Sequence, residues 1–505
     1  MKKFVSLCCV AIFCFSTACA GELVPVGLQK QLLVDDYVIA SKSNVTRELG
    51  RVEKLGPVLE PDLPTDFTPQ GGSRENLNPW FAMRLTVLWN ELEQKYQMWY
   101  RACGEAYTAY AESEDGINWI KPLIGVGGRT NLITYRGADH GTFFEAAVMI
   151  DPTVPWGHLE KYKAAYNPGN TMCAIAYSSD GIHWNGYNDG NSVTGRAADT
   201  FNQIIWDPIA SRYMLITRTD LGSEGGATED RATRIMVHGR DNDLMNYPEA
   251  WVDPVIVRVD DPAQETTSAG VSILQMESMN IWVYENIYFG LMHVLTVGEL
   301  PGCGCEIPMG DPHARPDSDV IDYYLGTSRD GKHFDRSWIY ARNPFVERGG
   351  YGEFDKAAVW PSSRIITQGD EHWIYYTAGY SQQLGPDAEN GKVGLAILPL
   401  DRFICQQAES QLGTITTKPF QLEGDTLQVN VDAEGGRFYA EVLYADGKPI
   451  PGFTVNELNY YGSVDALRLQ PQWKNNEDLS SLKGKTICLK FYLYNAKLYA
   501  FQIKS

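Results

Sequence analysis

The 505-residue chain is short of positive charge, of paired-cysteine patterns and, past its first twenty residues, of long apolar runs. Lys and Arg number 43 against 63 Asp and Glu, a formal net charge of −20. No basic run offsets that balance, so a phosphate backbone would be repelled and nucleic acid is not an expected partner. No later stretch is apolar over the ~20 residues that a membrane-spanning helix needs, so no transmembrane segment is expected.

The N-terminus is the exception. Lys2-Lys3, an apolar run from Phe4 to Phe15, and Ala18-Cys19-Ala20 before Gly21 read as an export signal over residues 1–20. A periplasmic or extracellular location is expected. Cys19 follows Ser-Thr-Ala, so a lipid anchor on that cysteine stays open, although Ser16 stands where Leu is usual. Loss of Lys2 and Lys3 with the signal takes the charge from −20 to −22. Of the ten cysteines, Cys103, Cys173, Cys303, Cys305, Cys405 and Cys488 remain, and their spacing matches no zinc site and assigns no disulfide.

Against these absences stands a repeated sentence: Ser113-Glu-Asp115-Gly116-Ile-Asn-Trp119, Ser178-Ser-Asp180-Gly181-Ile-His-Trp184 and Ser328-Arg-Asp330-Gly331-Lys-His-Phe334. A degenerate copy runs from Asp241 to Tyr247. In each, a strand ends at Ser, Asp-Gly supplies turn residues that tolerate positive φ, and an aromatic returns to pack. Apolar run, polar turn and Tyr-rich return strand recur five times, at Leu85–Tyr100, Val148–Tyr166, Ile204–Ile216, Ile281–Leu291 and Ile365–Tyr376. Repetition at this period points to a five-bladed β-propeller. The fifth blade, Lys392–Leu398, is one strand short, and Gln31–Ile39 is the expected strand that closes the ring. From Thr414 the chain turns to short alternating strands such as Leu427–Val431 and Phe438–Tyr444, which predict a β-sandwich. The expected organisation is all-β: a signal at 1–20, the propeller at 21–407 and the sandwich at 408–505.

Leu33-Val-Asp35-Asp36-Tyr37, the Ser-x-Asp-Gly-x-x-Trp turns, Gly394-Leu-Ala-Ile-Leu-Pro-Leu-Asp401-Arg-Phe and Gly447-Lys-Pro-Ile-Pro-Gly452 resemble a bacterial branch of the propeller glycoside hydrolases grouped around families 32 and 43. Family 32 proper opens on a Trp-Met-Asn-Asp-Pro-Asn-Gly type motif. Here only Val34-Asp35-Asp36-Tyr37 is offered, and Cys305-Glu306 reverses that family's Glu-Cys, so invertase or fructanase specificity does not follow.

Glycoside hydrolysis commonly uses one protonated and one ionised carboxyl group, so acids at the start of innermost strands are the candidates. Asp199 lies eight residues before the turn at Asp207, and Glu277 eight before that at Glu285, which sets them at equal height. Asp36 opens the first strand, where the resemblance implies the base or nucleophile; Asp199 is the expected transition-state stabiliser, Glu277 the general acid and Asp355 the reserve acid. Glu145 and Glu353 stand at neighbouring strand starts and are expected to bind substrate. Arg74, His140 and Arg218 are expected to bind hydroxyls or a carboxylate, and Trp80, Trp360 and Tyr351 to stack on sugar rings. The expected partner is a plant or algal carbohydrate, with no redox cofactor and no metal ligand set; a structural calcium ion is compatible with the acid content, though no calcium-loop spacing is visible. The alternatives are a non-catalytic carbohydrate-binding propeller, which would lack two carboxyl groups about 5 to 10 Å apart, and a sialidase, which would need three arginines in the funnel and turns one residue longer.

Overall fold

A computed structural model describes residues 22–67, 81–102, 107–125, 127–136, 143–169, 171–197, 201–221, 230–239, 247–259, 272–296, 320–350, 352–379 and 391–505. These are nearly all β; the one α-helix among them is the single turn Ser337–Tyr340. The chain forms two compact units, 51–398 and 1–50 with 399–505.

Among the described residues the 51–398 unit contains five antiparallel sets. They begin with the strands Thr86–Asn90, Phe144–Ile150, Asn202–Asp207, Leu274–Tyr284 and Ala358–Pro361, each followed by its hairpin partner. Neighbouring sets touch through parallel pairing, Asn202 with Ala146 and Ile321 with Ala358. Polar side chains then tie the first strands together: Thr86 Oγ1 lies 3.0 Å from Ser363 Oγ and accepts from Val148 N, while Gln203 bonds to Ile281 and Ser363. The fifth set meets the first, where Tyr375 OH donates to Gly116 O at 2.8 Å and Trp373 stacks on Tyr96.

The repeated turns are held by their own side chains. Ser178 Oγ accepts from Gly181 N at 2.9 Å, and Asp180 Oδ1 accepts from the amides of Ile182 and His183. Gly181 has φ +78°, and the Trp99 and Trp184 indoles both donate to its carbonyl. The same network recurs at Ser113-Asp115 and Ser328-Asp330.

The ring-closing expectation is corrected. The strand beside Lys392–Pro399 is Glu53–Leu59, not Gln31–Ile39. Gln31–Leu32 pairs with Ala496–Lys504 and Ile39–Ser43 with Gly413–Thr417, so these residues belong with the C-terminal ones, and the units divide at 50/51 and 398/399 rather than at 407/408. Burial explains the choice, because Leu33, Val38 and Ile39 join the core of that second unit. Gly56 and Pro57 disguise Glu53–Leu59 in the sequence, yet an edge strand tolerates both and absorbs them as register shifts.

The second unit has two sheets. One runs Thr46–Leu49, Ile404–Ala408, Ala496–Lys504, Thr426–Asp432, Asp465–Leu469; the other runs Ile39–Ser43, Gly413–Thr417, Thr486–Tyr494, Arg437–Tyr444, Tyr461–Gly462. Val429, Val431 and Phe501 of the first share one apolar core with Phe438, Val442 and Phe491 of the second.

Candidate functional site

Two glutamates interrupt otherwise regular strand pairing. In Leu274–Tyr284 the register slips between Met276 and Ser278, leaving Glu277 as the extra residue. In Phe144–Ile150 it slips opposite Ala165–Asn167, and Glu145 there has φ +55°. Bulges re-aim a side chain, and a left-handed non-glycine costs about 1–3 kcal/mol, held only where the surroundings demand it.

The surroundings are arginines. Arg84, itself at φ +61°, places Nη2 3.1 Å from Glu277 Oε1 and Nε 3.9 Å from Glu145 Oε1. Arg218 Nη1 is 3.2 Å from Glu277 Oε1, Arg231 Nε 2.9 Å from Glu277 Oε2, and Arg101 Nη1 3.0 Å from Glu145 Oε1. Burial alone would raise the Glu277 carboxyl pKa, but the charges of Arg218, Arg231 and Arg84 outweigh it and hold the group well below the usual carboxylate range. One guanidinium shared between two carboxylates keeps them no more than about 10 Å apart, within reach of the glycosidase separation.

His293 faces Ser278 across the same hairpin. It is fully buried, and burial followed by the charge of Arg84 drives its pKa well below the ordinary value, so the ring is neutral. Its Nε2 lies 3.1 Å from Asn280 Oδ1. Among the described residues, His293 Nδ1, Asn280 Nδ2, Ser278 Oγ and both side-chain polar atoms of Asn202 are buried without a hydrogen-bond partner. Such open valences are the kind that water or ligand hydroxyls satisfy.

The other expected residues are dispersed. Asp36 lies in the 1–50/399–505 unit, largely exposed and 2.7 Å from Lys42 Nζ. Asp355 is buried against Lys54 at 2.7 Å and Tyr376 OH at 3.2 Å. Glu353 is exposed and accepts from Gly350 N. Trp360 is 2% exposed in an apolar cluster with Leu295 and Ile321, so its expected sugar-stacking role is replaced by core packing. Arg218 joins the Glu277 cluster. Asp199, Arg74, His140, Trp80 and Tyr351 lie outside the described residues, as do Cys103, Cys303 and Cys305; Cys173 and Cys405 are buried free thiols, and Cys488 is buried. Among the described residues no group of three or more His, Cys, Asp or Glu could hold a metal ion, and no helix is long and apolar enough to cross a membrane.

Sequence reading missed Arg84, Arg101, Arg231 and His293. A signal existed for Arg101 and His293, each a polar residue inside a strand whose neighbours are all buried. Arg84, outside any strand, offered none.

No family model matches the chain, and no curated protein does. Among solved structures it is similar to an N-acetylgalactosamine deacetylase from F. plautii in complex with blood group B trisaccharide, with 13% identity, 72% of this chain and 97% of that chain covered, and a TM-score of 0.42. A thermostable family-43 glycoside hydrolase gives 13% identity, coverage of 64% and 88%, and a TM-score of 0.39. The catalytic domain of Coprinopsis cinerea GH62 α-L-arabinofuranosidase gives 12%, 69% and 97%, and 0.37. Likeness this remote fixes neither a fold nor an activity for the chain.

Proposed function

We propose that the 51–398 unit is a five-bladed β-propeller with glycoside hydrolase activity on plant or algal oligosaccharides, that the other unit is an accessory β-sandwich, and that the protein is exported with residues 1–20 as its signal. The contacts passing from each antiparallel set to the next, and from the fifth back to the first, support the propeller reading.

The observation that carries the activity is the pair Glu145 and Glu277, both at bulged strand starts and spanned by Arg84. Three arginines keep Glu277 ionised, so it suits electrostatic stabilisation of an oxocarbenium-like transition state and not the proton donation expected of it. Asp199, outside the described residues but eight residues before the turn at Asp207 as Glu277 is before that at Glu285, then becomes the candidate acid, and Glu145 the base or nucleophile in place of Asp36. The second reading, a carbohydrate-binding propeller without turnover, is favoured by one fact: both described carboxylates are already paired with arginines.

Product release from a panel of plant and algal oligosaccharides, with wild type, Asp199→Asn and Glu145→Gln, tests the two. Release lost in both variants supports a hydrolase. Wild type that binds glycans by calorimetry yet releases nothing supports the binding propeller, and neither binding nor release sinks both.

A further inference from the structure

The first strands of the 51–398 unit end in a cavity of about 280 Å³, lined by Ile150, Ile205, Trp206, Ile281 and Val283 among others, with Arg364 the only charged side chain among the described residues on its wall. It is separate from the glutamate cluster. Ile281 stands four residues beyond Glu277 on one strand, roughly 13 Å at the strand rise. Gln203 and Ser363 line the cavity too, but the Gln203 amide is committed, donating to Ile281 O at 3.1 Å and Ser363 O at 2.8 Å and accepting from Ile281 N at 2.7 Å.

Arg364 is exposed and, among the described residues, makes no hydrogen bond or ion pair. An apolar concavity with few polar groups converging on it is the usual form of a small-molecule site. A guanidinium presents paired N–H donors that match a carboxylate. At the ~30 Å³ that each water occupies in the liquid the cavity holds about nine waters, which is room for a small single-ring molecule.

We propose that this cavity binds a small, flat apolar molecule carrying one carboxylate, with its body against Trp206 and Ile281 and its carboxylate on Arg364. The site is independent of glycan turnover. The charge complement comes from Arg364 alone, so an uncharged isostere loses the anchor while keeping the apolar contact.

Calorimetric titration of the full-length protein with trans-cinnamate and with cinnamamide tests this. Saturable cinnamate binding is expected, with the amide at least tenfold weaker. Arg364→Gln should weaken cinnamate at least tenfold and leave the amide unchanged; Val283→Trp, which fills the cavity from its half-buried wall, should remove both, with unchanged circular dichroism melts showing that each variant folds. No saturable heat from cinnamate at millimolar concentration, equal affinity for acid and amide, or undiminished binding in either folded variant overturns the proposal.

Discussion

Arg84 stands between Glu277 and Glu145, 3.1 Å from one carboxylate and 3.9 Å from the other, with its side chain almost wholly buried. A single cation therefore couples the first strands of the second and fourth sets. Removing one partner of a buried ion pair costs more than the pair contributes, because it leaves a charge desolvated and uncompensated. In Arg84→Leu the carboxylates keep Arg218, Arg231 and Arg101, so the loss is expected to exceed about 1 kcal/mol but to fall short of the about 3–5 kcal/mol of an uncompensated buried charge, read as a lower chemical-denaturation midpoint; a loss under 1 kcal/mol would mean that Arg84 does not couple the two strands.

The Glu277 carboxyl sets a direction of pH dependence. Its folded pKa lies below the unfolded value of 4.5, so its contribution is fully present above that value and is lost as pH falls through the folded pKa. Wild-type stability should therefore decline below about pH 5 more steeply than that of Glu277→Gln. Thermal melts of both proteins from pH 7 to pH 3 measure this, and parallel curves would refute the assignment.

Gly181 and Gly127 separate conformation from contact. Both have positive φ, +78° and +76°, but a Cβ at Gly181 would meet Trp99 Cζ2 at 2.7 Å and one at Gly127 meets nothing within 4 Å. Gly127→Ala should cost about 1 kcal/mol for backbone strain, and Gly181→Ala at least that much more, since Trp99 is itself packed and bonded to the Gly181 carbonyl. Equal losses in denaturant titrations would show that the indole simply moves aside.

The closing strand is held by charge as well as by pairing. Lys54 lies 2.7 Å from the buried Asp355 and also donates to Glu347 O at 3.0 Å. Lys54→Met should cost about 2 kcal/mol, discounted from the fully buried case because Lys54 is partly exposed. The double variant Lys54→Met/Asp355→Leu should recover much of that loss; a double variant as unstable as the sum of its singles would argue against a direct pair.

Burial pushes the Cys173 and Cys405 thiols up to about 12. The thiolate is the reactive form, so neither should react with iodoacetamide at pH 8 unless the fold opens. Peptide mass mapping after brief alkylation checks this, and carboxamidomethyl-Cys173 in native protein would contradict its burial.

What the sequence by itself determined is what neighbours along the chain decide. The Ser-x-Asp-Gly turns are legible because their donors and acceptors lie within a few residues of one another, as at Ser178, Asp180, Gly181 and His183. The hairpins beside them, including the positive-φ pair Glu285-Asn286, are legible for the same reason. Glu277 and Glu145 were reachable by counting back from those turns. Tertiary structure decided the rest. Glu53–Leu59 rather than Gln31–Ile39 pairs with a strand more than 300 residues away because burial of Leu33, Val38 and Ile39 elsewhere outweighs local strand character. Trp360, a plausible sugar platform in sequence, is core because Leu295 and Ile321 close over it. The arginines that reset the role of Glu277 come from the segment before the first set, Arg84, and from two paired strands of the third, Arg218 and Arg231; charge acts through space, so no spacing along the chain records that they converge on one carboxylate.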